Sequence, residues 1–271
     1  MTSPPARSAK FPLRLDAVGG RPKASRAVLR PQRPLAHAHG DAMQRIAPGG
    51  LGLDSDDVRR RMVQRLRGIG VVNEQVLAAM AAVQRHRFVD TALVTQSYED
   101  TSLPIGHGQT ISKPSVVARM IELLFGGANA RRSGQLGRAL EIGTGCGYQA
   151  AVLSALSQHV VSVERLRPLH DKARELLAQM RPAHLRLVYG DGMLGHPPNA
   201  PYDSIIAAAG GDALPPAWLE QLAVGGRLVS PVRKAGTQQQ VLVVVDRTEQ
   251  GCEHTVFEAV NFVPLRSGLG T

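Results

Sequence analysis

The stretch ALEIGTGCGYQAAVLSAL, residues 139–156, constrains the fold more than any other part of the chain. An apolar strand pattern ends at Glu141–Ile142, and glycines follow at 143, 145 and 147. Apolar residues then recur at helical spacing. A strand, a tight turn and a helix in that order form the opening unit of an open α/β sheet. Glycine reaches positive φ without steric cost and lets the backbone approach a ligand closely. In the dinucleotide fingerprint G-x-G-x-x-G the third glycine would fall at position 148, where the chain has Tyr148. The spacing G-x-G-x-G therefore weakens a pyrophosphate reading. Taken alone, the glycines leave a purely structural turn open.

The rest of the C-terminal half extends the pattern. HVVSVE, HLRLVY and YDSIIAAA read as strands, and PLHDKARELLAQM and PPAWLEQLA read as helices. GGRLVSPV, QQVLVVVD and TVFEAVNFVPL read as late strands. Short apolar strands alternating with amphipathic helices predict an α/β fold with a mostly parallel, doubly covered sheet. Upstream, LDSDDVRRRMVQRLRGIG predicts a helix capped by Ser55, with Val58, Met62 and Leu66 on one face and an end at Gly68 and Gly70. NEQVLAAMAAVQRH, from Asn73, predicts a second helix, and the two make a small helical lobe. SLPIGHGQTISKP reads as a stiff loop. It leads into the helix SKPSVVARMIELLF, with Ser112 near the N-cap and Pro114 in the first turn. GGANARRSGQLGR reads as a surface linker.

Two acids give the glycine turn a ligand. Glu164 ends the next strand, about 20 residues after Gly143, where a carboxylate accepts the hydroxyls of a ribose in nucleotide folds. Asp191, in YGDGM, ends a third strand and is placed to receive an adenine amino group. Glycines, a ribose acid and a base-reading acid at three successive strand ends indicate an adenosine ligand. The spacing leaves open which adenosine compound it is. It also leaves a solvated strand end for Glu164 and an Asp-Gly turn for Asp191.

The net charge of +10 suggests nucleic acid until it is located. Nine of the 32 basic residues and two of the 22 acidic ones fall within residues 1–50, so +7 of the excess sits there. That segment is rich in Pro, Ala and Arg without helical or strand periodicity. Residues 1–53 are expected to be a disordered basic extension, solvated or weakly bound to RNA or an acidic surface. No apolar run approaches a membrane span, and the arginine-bearing N-terminus lacks the apolar core of a secretory signal. Two cysteines, Cys146 and Cys252, make no disulfide framework, so a cytoplasmic setting is expected. No His, Cys or carboxylate set has metal-ligand spacing, so no metal is expected.

The motifs LPIGHGQTIS, LEIGTGCGYQ, VVSVER, GDG and VNFVPL, in that order, resemble those of the protein-L-isoaspartate O-methyltransferase family from about residue 56 to 268. The resemblance implies a class I methyltransferase fold with a doubly wound, mostly parallel seven-stranded sheet and an N-terminal helical lobe. It places the catalytic domain at residues 54–271, with a lobe and substrate loop over 54–125 and the cofactor-binding core over 138–271. S-adenosyl-L-methionine is the implied cofactor. The implied acceptor is the carboxylate of an L-isoaspartyl, or D-aspartyl, residue in damaged proteins and peptides. Thr110, Ile111 and Ser112 would lie between the sulfonium and that carboxylate, with Ser112 at the family's active-site position. Gly143, Gly145, Glu164, Asp191 and Gly192 fall on cofactor-binding positions, and Gly147 completes the turn. Lys113, Arg233 and Cys146 depart from the family pattern, the first two at the peptide groove.

The implied chemistry asks little of side chains. A carboxylate is already ionised at neutral pH, so its methylation needs no general base. Positioning and exclusion of water are expected instead, with Ser112 donating a hydrogen bond to the acceptor. His107 is then expected to be a locally bonded loop residue, Cys146 a filler and Trp218 part of helix packing. The rivals are a small-molecule or RNA methyltransferase, an NAD dehydrogenase and a non-enzymatic binding protein. Aromatic content of 4% counts against a reader of single-stranded RNA. A monomer acting on damaged proteins, with neither membrane nor nucleic acid required, is expected.

Overall fold

The computed structural model describes residues 56–182 and 184–270, all within one compact unit. The expected extension over residues 1–53 and the proposed Ser55 cap lie outside the described residues. The chain opens with α1 (Asp56–Gly68), which buries Met62 and Leu66. Helix α2 (Glu74–Ala82) follows, with the Asn73 side chain accepting from the backbone N–H groups of Gln75 and Val76. α2 stops short of the expected His86. Val83 turns extended, and a 3-10 turn over Arg85–Phe88 sends the Arg85 and Phe88 side chains inward.

The expected loop over 102–114 is a hairpin. β1 (Leu103–Gly106) pairs antiparallel with β2 (Gln109–Ile111). The turn residues His107 and Gly108 both have positive φ, 53° and 66°, as a two-residue hairpin turn requires. Helix α3 (Pro114–Leu124) starts with proline in its first turn. Ser112 does not cap it. Lys113 holds the cap position without a side-chain bond, and Asp100 accepts from both the N–H and the hydroxyl of Ser115, at 2.8 and 2.7 Å. The expected linker contains a short helix, α4 (Ala128–Ser133), closed by Gly134 in the left-handed region.

The predicted α/β core then appears in order: β3 (Arg138–Ile142), α5 (Tyr148–Ser154), β4 (His159–Glu164), α6 (Arg167–Met180), β5 (Leu185–Tyr189) and β6 (Tyr202–Ala207). Helix α7 (Pro216–Gln221) precedes β7 (Leu222–Arg233), β8 (Gln240–Thr248) and β9 (Gly251–Val260). The seven strands run β5-β4-β3-β6-β7-β8-β9; β3 to β7 are parallel, and β8 and β9 are antiparallel additions. β9 ends at Val260, and the VNFVPL segment beyond it is held by the Gly210–Pro264 bridge rather than by a strand.

Side chains sort across the sheet by their period of two. Ala139, Val160, Ile206 and Val229 face a core shared with α1, α2, α3, α5 and α6. Leu140, Val161, Ile205 and Leu228 face a second core built around Tyr202 and Trp218. Burial on both faces explains why these strands are continuous apolar runs. The chain leaves β3 toward β4 and β5 on one side, then returns to add β6 on the other. That reversal opens a crevice beyond the carboxyl ends of the parallel strands, where open α/β sheets bind ligands.

Candidate active site

The glycine turn is the floor of this crevice. Gly143, Gly145 and Gly147 have φ of 91°, 55° and 90°. The turn is pinned at both ends: the Gly143 N–H donates to the Val163 carbonyl at 2.8 Å, and the Gly147 N–H to the Thr144 carbonyl at 2.8 Å. A Cβ on Gly147 would stand 2.8 Å from a methyl of Leu177, and one on Gly192 would stand 2.5 Å from Ile142. The chain therefore uses glycine for conformation at the turn and for close packing at its neighbours.

The crevice is about 330 Å³ and is lined by Gly143, Gly145, Glu164 and Gly192 on the sheet side and Thr110, Ile111 and Ser112 on the hairpin side; Gly147, expected with them, does not line it. Glu164 is buried. Its two oxygens accept from the N–H groups of Gly145 and Leu166, both at 2.9 Å, so the carboxylate is fixed beside the turn. The C-terminal residues Val263–Arg266 line the crevice as well. Asp191 also stands apart from the crevice. Its oxygens accept from the N–H groups of Met193 at 2.9 Å and Gly268 at 2.6 Å. Its neighbour Gly192 does line the crevice, and Trp218 donates to the Gly192 carbonyl at 2.8 Å from a fully buried position.

A second depression of about 440 Å³ lies on the other side of the hairpin. Thr110, Ser112, Ala208 and Val263 line both depressions and together form the wall between them. The Ser112 hydroxyl has no bonding partner among the described residues. Its carbonyl accepts from the Arg85 guanidinium at 2.8 Å. Arg85 was not singled out by the sequence. It is fully buried, also donates to the Ser97 carbonyl at 2.7 Å, and lies 4.8 Å from the centroid of the Tyr148 ring. One charged residue in a short polar turn carries no periodic signal, so only the fold reveals it. The same holds for Arg165 and Arg266 at the crevice rim.

Beneath the turn is a buried polar chain. The Thr144 and Ser162 hydroxyls meet at 2.5 Å, and Ser162 donates to Glu141. Burial pushes the Glu141 carboxyl up to about 8, against the pull of the Ser162 hydroxyl. Burial also pushes the Cys146 thiol up, to about 11, which makes it a filler rather than a nucleophile. His107 sits in the hairpin turn, where its carbonyl accepts from Gln109. Arg233 is paired with Asp212 at 2.9 Å. Among the described residues no group of His, Cys, Asp and Glu could hold a metal ion.

The model of the protein-L-isoaspartate(D-aspartate) O-methyltransferase family matches residues 57–270. The chain belongs to this family. It is 60% identical to a protein-L-isoaspartate O-methyltransferase of Methylibium petroleiphilum over 262 residues, 96% of either chain. It is 57% identical to one of Leptothrix cholodnii, over 98% of this chain and 96% of the other. A solved structure of a protein-L-isoaspartate O-methyltransferase superposes with a TM-score of 0.69 at 28% identity, covering 78% of this chain and 67% of that one. A Plasmodium falciparum structure described as a β-aspartate methyltransferase, in complex with S-adenosyl-L-homocysteine, shares the fold with a TM-score of 0.65 at 22% identity. It covers 77% of this chain and 98% of that one. The expectation of family, of a seven-stranded class I methyltransferase fold and of S-adenosyl-L-methionine as cofactor is borne out.

Proposed function

We propose that this chain is a repair methyltransferase that transfers a methyl group from S-adenosyl-L-methionine to the carboxylate of an isoaspartyl, or D-aspartyl, residue in a damaged protein. The observation that carries the reading is the double-sided wall of Thr110 and Ser112, with an adenosine-sized crevice behind it and an open groove in front. The crevice residues fit the cofactor. Positive φ at Gly143 and Gly145 brings backbone close to the crevice, and the fixed Glu164 carboxylate supplies acceptors for ribose hydroxyls. Gly143, Gly145, Gly147 and Gly192 would shape this cradle. Asp191, already bonded to Gly268, would hold the C-terminal segment as the crevice's outer wall.

When bound, S-adenosyl-L-methionine supplies an electrophilic methyl group on a sulfonium. The chain's own residues then have three tasks. Ser112 donates its free hydroxyl to one oxygen of the acceptor carboxylate and directs the other across the wall. Thr110, with Ala208 and Val263, separates the two depressions, and Ile111 lines the crevice side. The hairpin and the Val263–Arg266 segment exclude water, which strengthens the attraction between anion and cation. The charges cancel as the bond forms, so no proton has to move and no general base is required. In-line placement of two reactants accounts for a large share of the rate.

The reading also takes the enzyme to be a cytoplasmic monomer that needs no nucleic acid. In support, the crevice and wall are complete within one chain, and both cysteines are free. No helix among the described residues is long and apolar enough to cross a membrane. The test is methyl transfer from labelled S-adenosyl-L-methionine to an isoaspartyl peptide beside its aspartyl twin. Label in the isoaspartyl peptide alone is expected. Equal label in both, or label only in RNA, would overturn the reading.

A further inference from the structure

The groove in front of Ser112 carries a single charge. Its walls are Ser102, Val116, Gln239 and the segment 259–263, all neutral, and Lys113 is the only ionisable one among the described residues lining it. The root of that side chain is fixed on both sides. Arg85 holds the Ser112 carbonyl at 2.8 Å, the Val117 N–H donates to the Lys113 carbonyl at 3.1 Å, and Pro114 follows. Lys113 forms no ion pair among the described residues. Asp100, before the hairpin, has both oxygens engaged by Ser115. An exposed lysine is ordinarily a solvated charge. This one is rooted at the mouth of a neutral groove that begins at the acceptor position, with no carboxylate of its own to meet.

We propose that Lys113 forms a subsite for an acidic side chain within two residues of the isoaspartyl residue, so that this enzyme prefers damaged sites with an acidic neighbour. The proposal rests on the function argued above. An extended segment advances about 3.3 Å per residue, which brings a near neighbour of the acceptor within reach of a lysine rooted one position from Ser112. Pairing with the acceptor itself is the less productive alternative. The acceptor loses its charge as the ester forms, so a cation on it stabilises the reactant more than the transition state. A flanking carboxylate keeps its charge throughout. Its bond to Lys113 is the same before and during transfer and therefore acts on KM rather than on kcat.

The test uses the full chain and isoaspartyl peptides that differ only in carrying Glu, Gln or Lys at one flanking position. The series is placed in turn at each of the two positions on either side. At one or more positions kcat/KM falls in the order Glu, Gln, Lys. The Glu-to-Lys ratio is about three- to tenfold, as expected when one partly exposed pair is exchanged for a repulsion. The difference lies in KM and shrinks in high salt. Lys113→Gln brings the ratio close to one, and Lys113→Glu reverses the order. If the wild type shows no order at any position, or if Lys113→Gln lowers all three peptides by one factor and keeps their ratio, the subsite is overturned. Failure to label any isoaspartyl peptide would instead overturn the function on which the subsite rests.

Discussion

Ser112 and Arg85 divide the work at the wall between one hydroxyl and one main-chain anchor. Ser112→Ala removes the donor to the acceptor and leaves the carbonyl bond to Arg85 in place. Its kcat/KM is expected to fall about tenfold, through weaker binding and lost orientation of the acceptor, one hydrogen bond to a charged group being worth roughly 1.5–3 kcal/mol. S-adenosylhomocysteine affinity, read by calorimetry, is expected to stay within about twofold. Arg85→Met acts differently, because it strands the carbonyls of Ser97 and Ser112 in a buried place. Each unsatisfied group costs roughly 1–3 kcal/mol, so a loss of stability on the order of 3 kcal/mol is expected in chemical denaturation, together with a loss of turnover. Glu141 gives a pH signature. Its folded carboxyl keeps its proton up to about 8, while the unfolded chain gives it up near the ordinary value. Between those limits the native state binds more protons, so this residue lowers stability as pH rises, by at most about 1.4 kcal/mol per pH unit. Glu141→Gln keeps the shape without the proton. The wild type's Tm is expected to fall relative to the variant's as pH rises from 5 to 8, and parallel curves would refute the assignment.

Among the elements, the glycine turn fixes the geometry most tightly. Gly147 combines a φ of 90° with a Leu177 methyl 2.8 Å from where a Cβ would stand. Gly147→Ala is therefore expected to lift the turn away from α6, with backbone strain of about 1–3 kcal/mol, and to weaken S-adenosylhomocysteine binding at least tenfold in calorimetry. The strand-turn-helix around this residue was readable because its period and its glycines agree with each other. Other elements were not. The hairpin over 103–111 has strands of only four and three residues, and its turn depends on His107 accepting a positive φ, so the sequence suggested a loop. Helix α2 ends early because Arg85 turns inward to reach carbonyls distant in sequence, a tertiary demand that local pattern does not encode. Ser112 fits an N-cap on propensity, yet Asp100 binds the first turn of α3 and leaves the serine free for the wall. Asp191 occupies the expected strand end, while its bond to Gly268, 77 positions away, is invisible locally.

For the molecule as a whole, charge and function separate along the chain. Of the net +10, residues 1–50 hold +7, while every residue of the crevice, the wall and the groove lies beyond residue 100. The family match likewise begins at residue 57. A basic segment of that size produces a field that reaches about 8–10 Å at physiological salt, and it acts on encounter with anionic partners rather than on an in-line transfer. Removing residues 1–50 is therefore expected to leave kcat on a short isoaspartyl peptide within about threefold and to weaken the salt dependence of kcat/KM on large acidic protein substrates. Both follow from steady-state kinetics at two ionic strengths. A fall in kcat beyond about tenfold, roughly 1.4 kcal/mol of barrier, would make the segment part of the site and place catalytic determinants outside the α/β core.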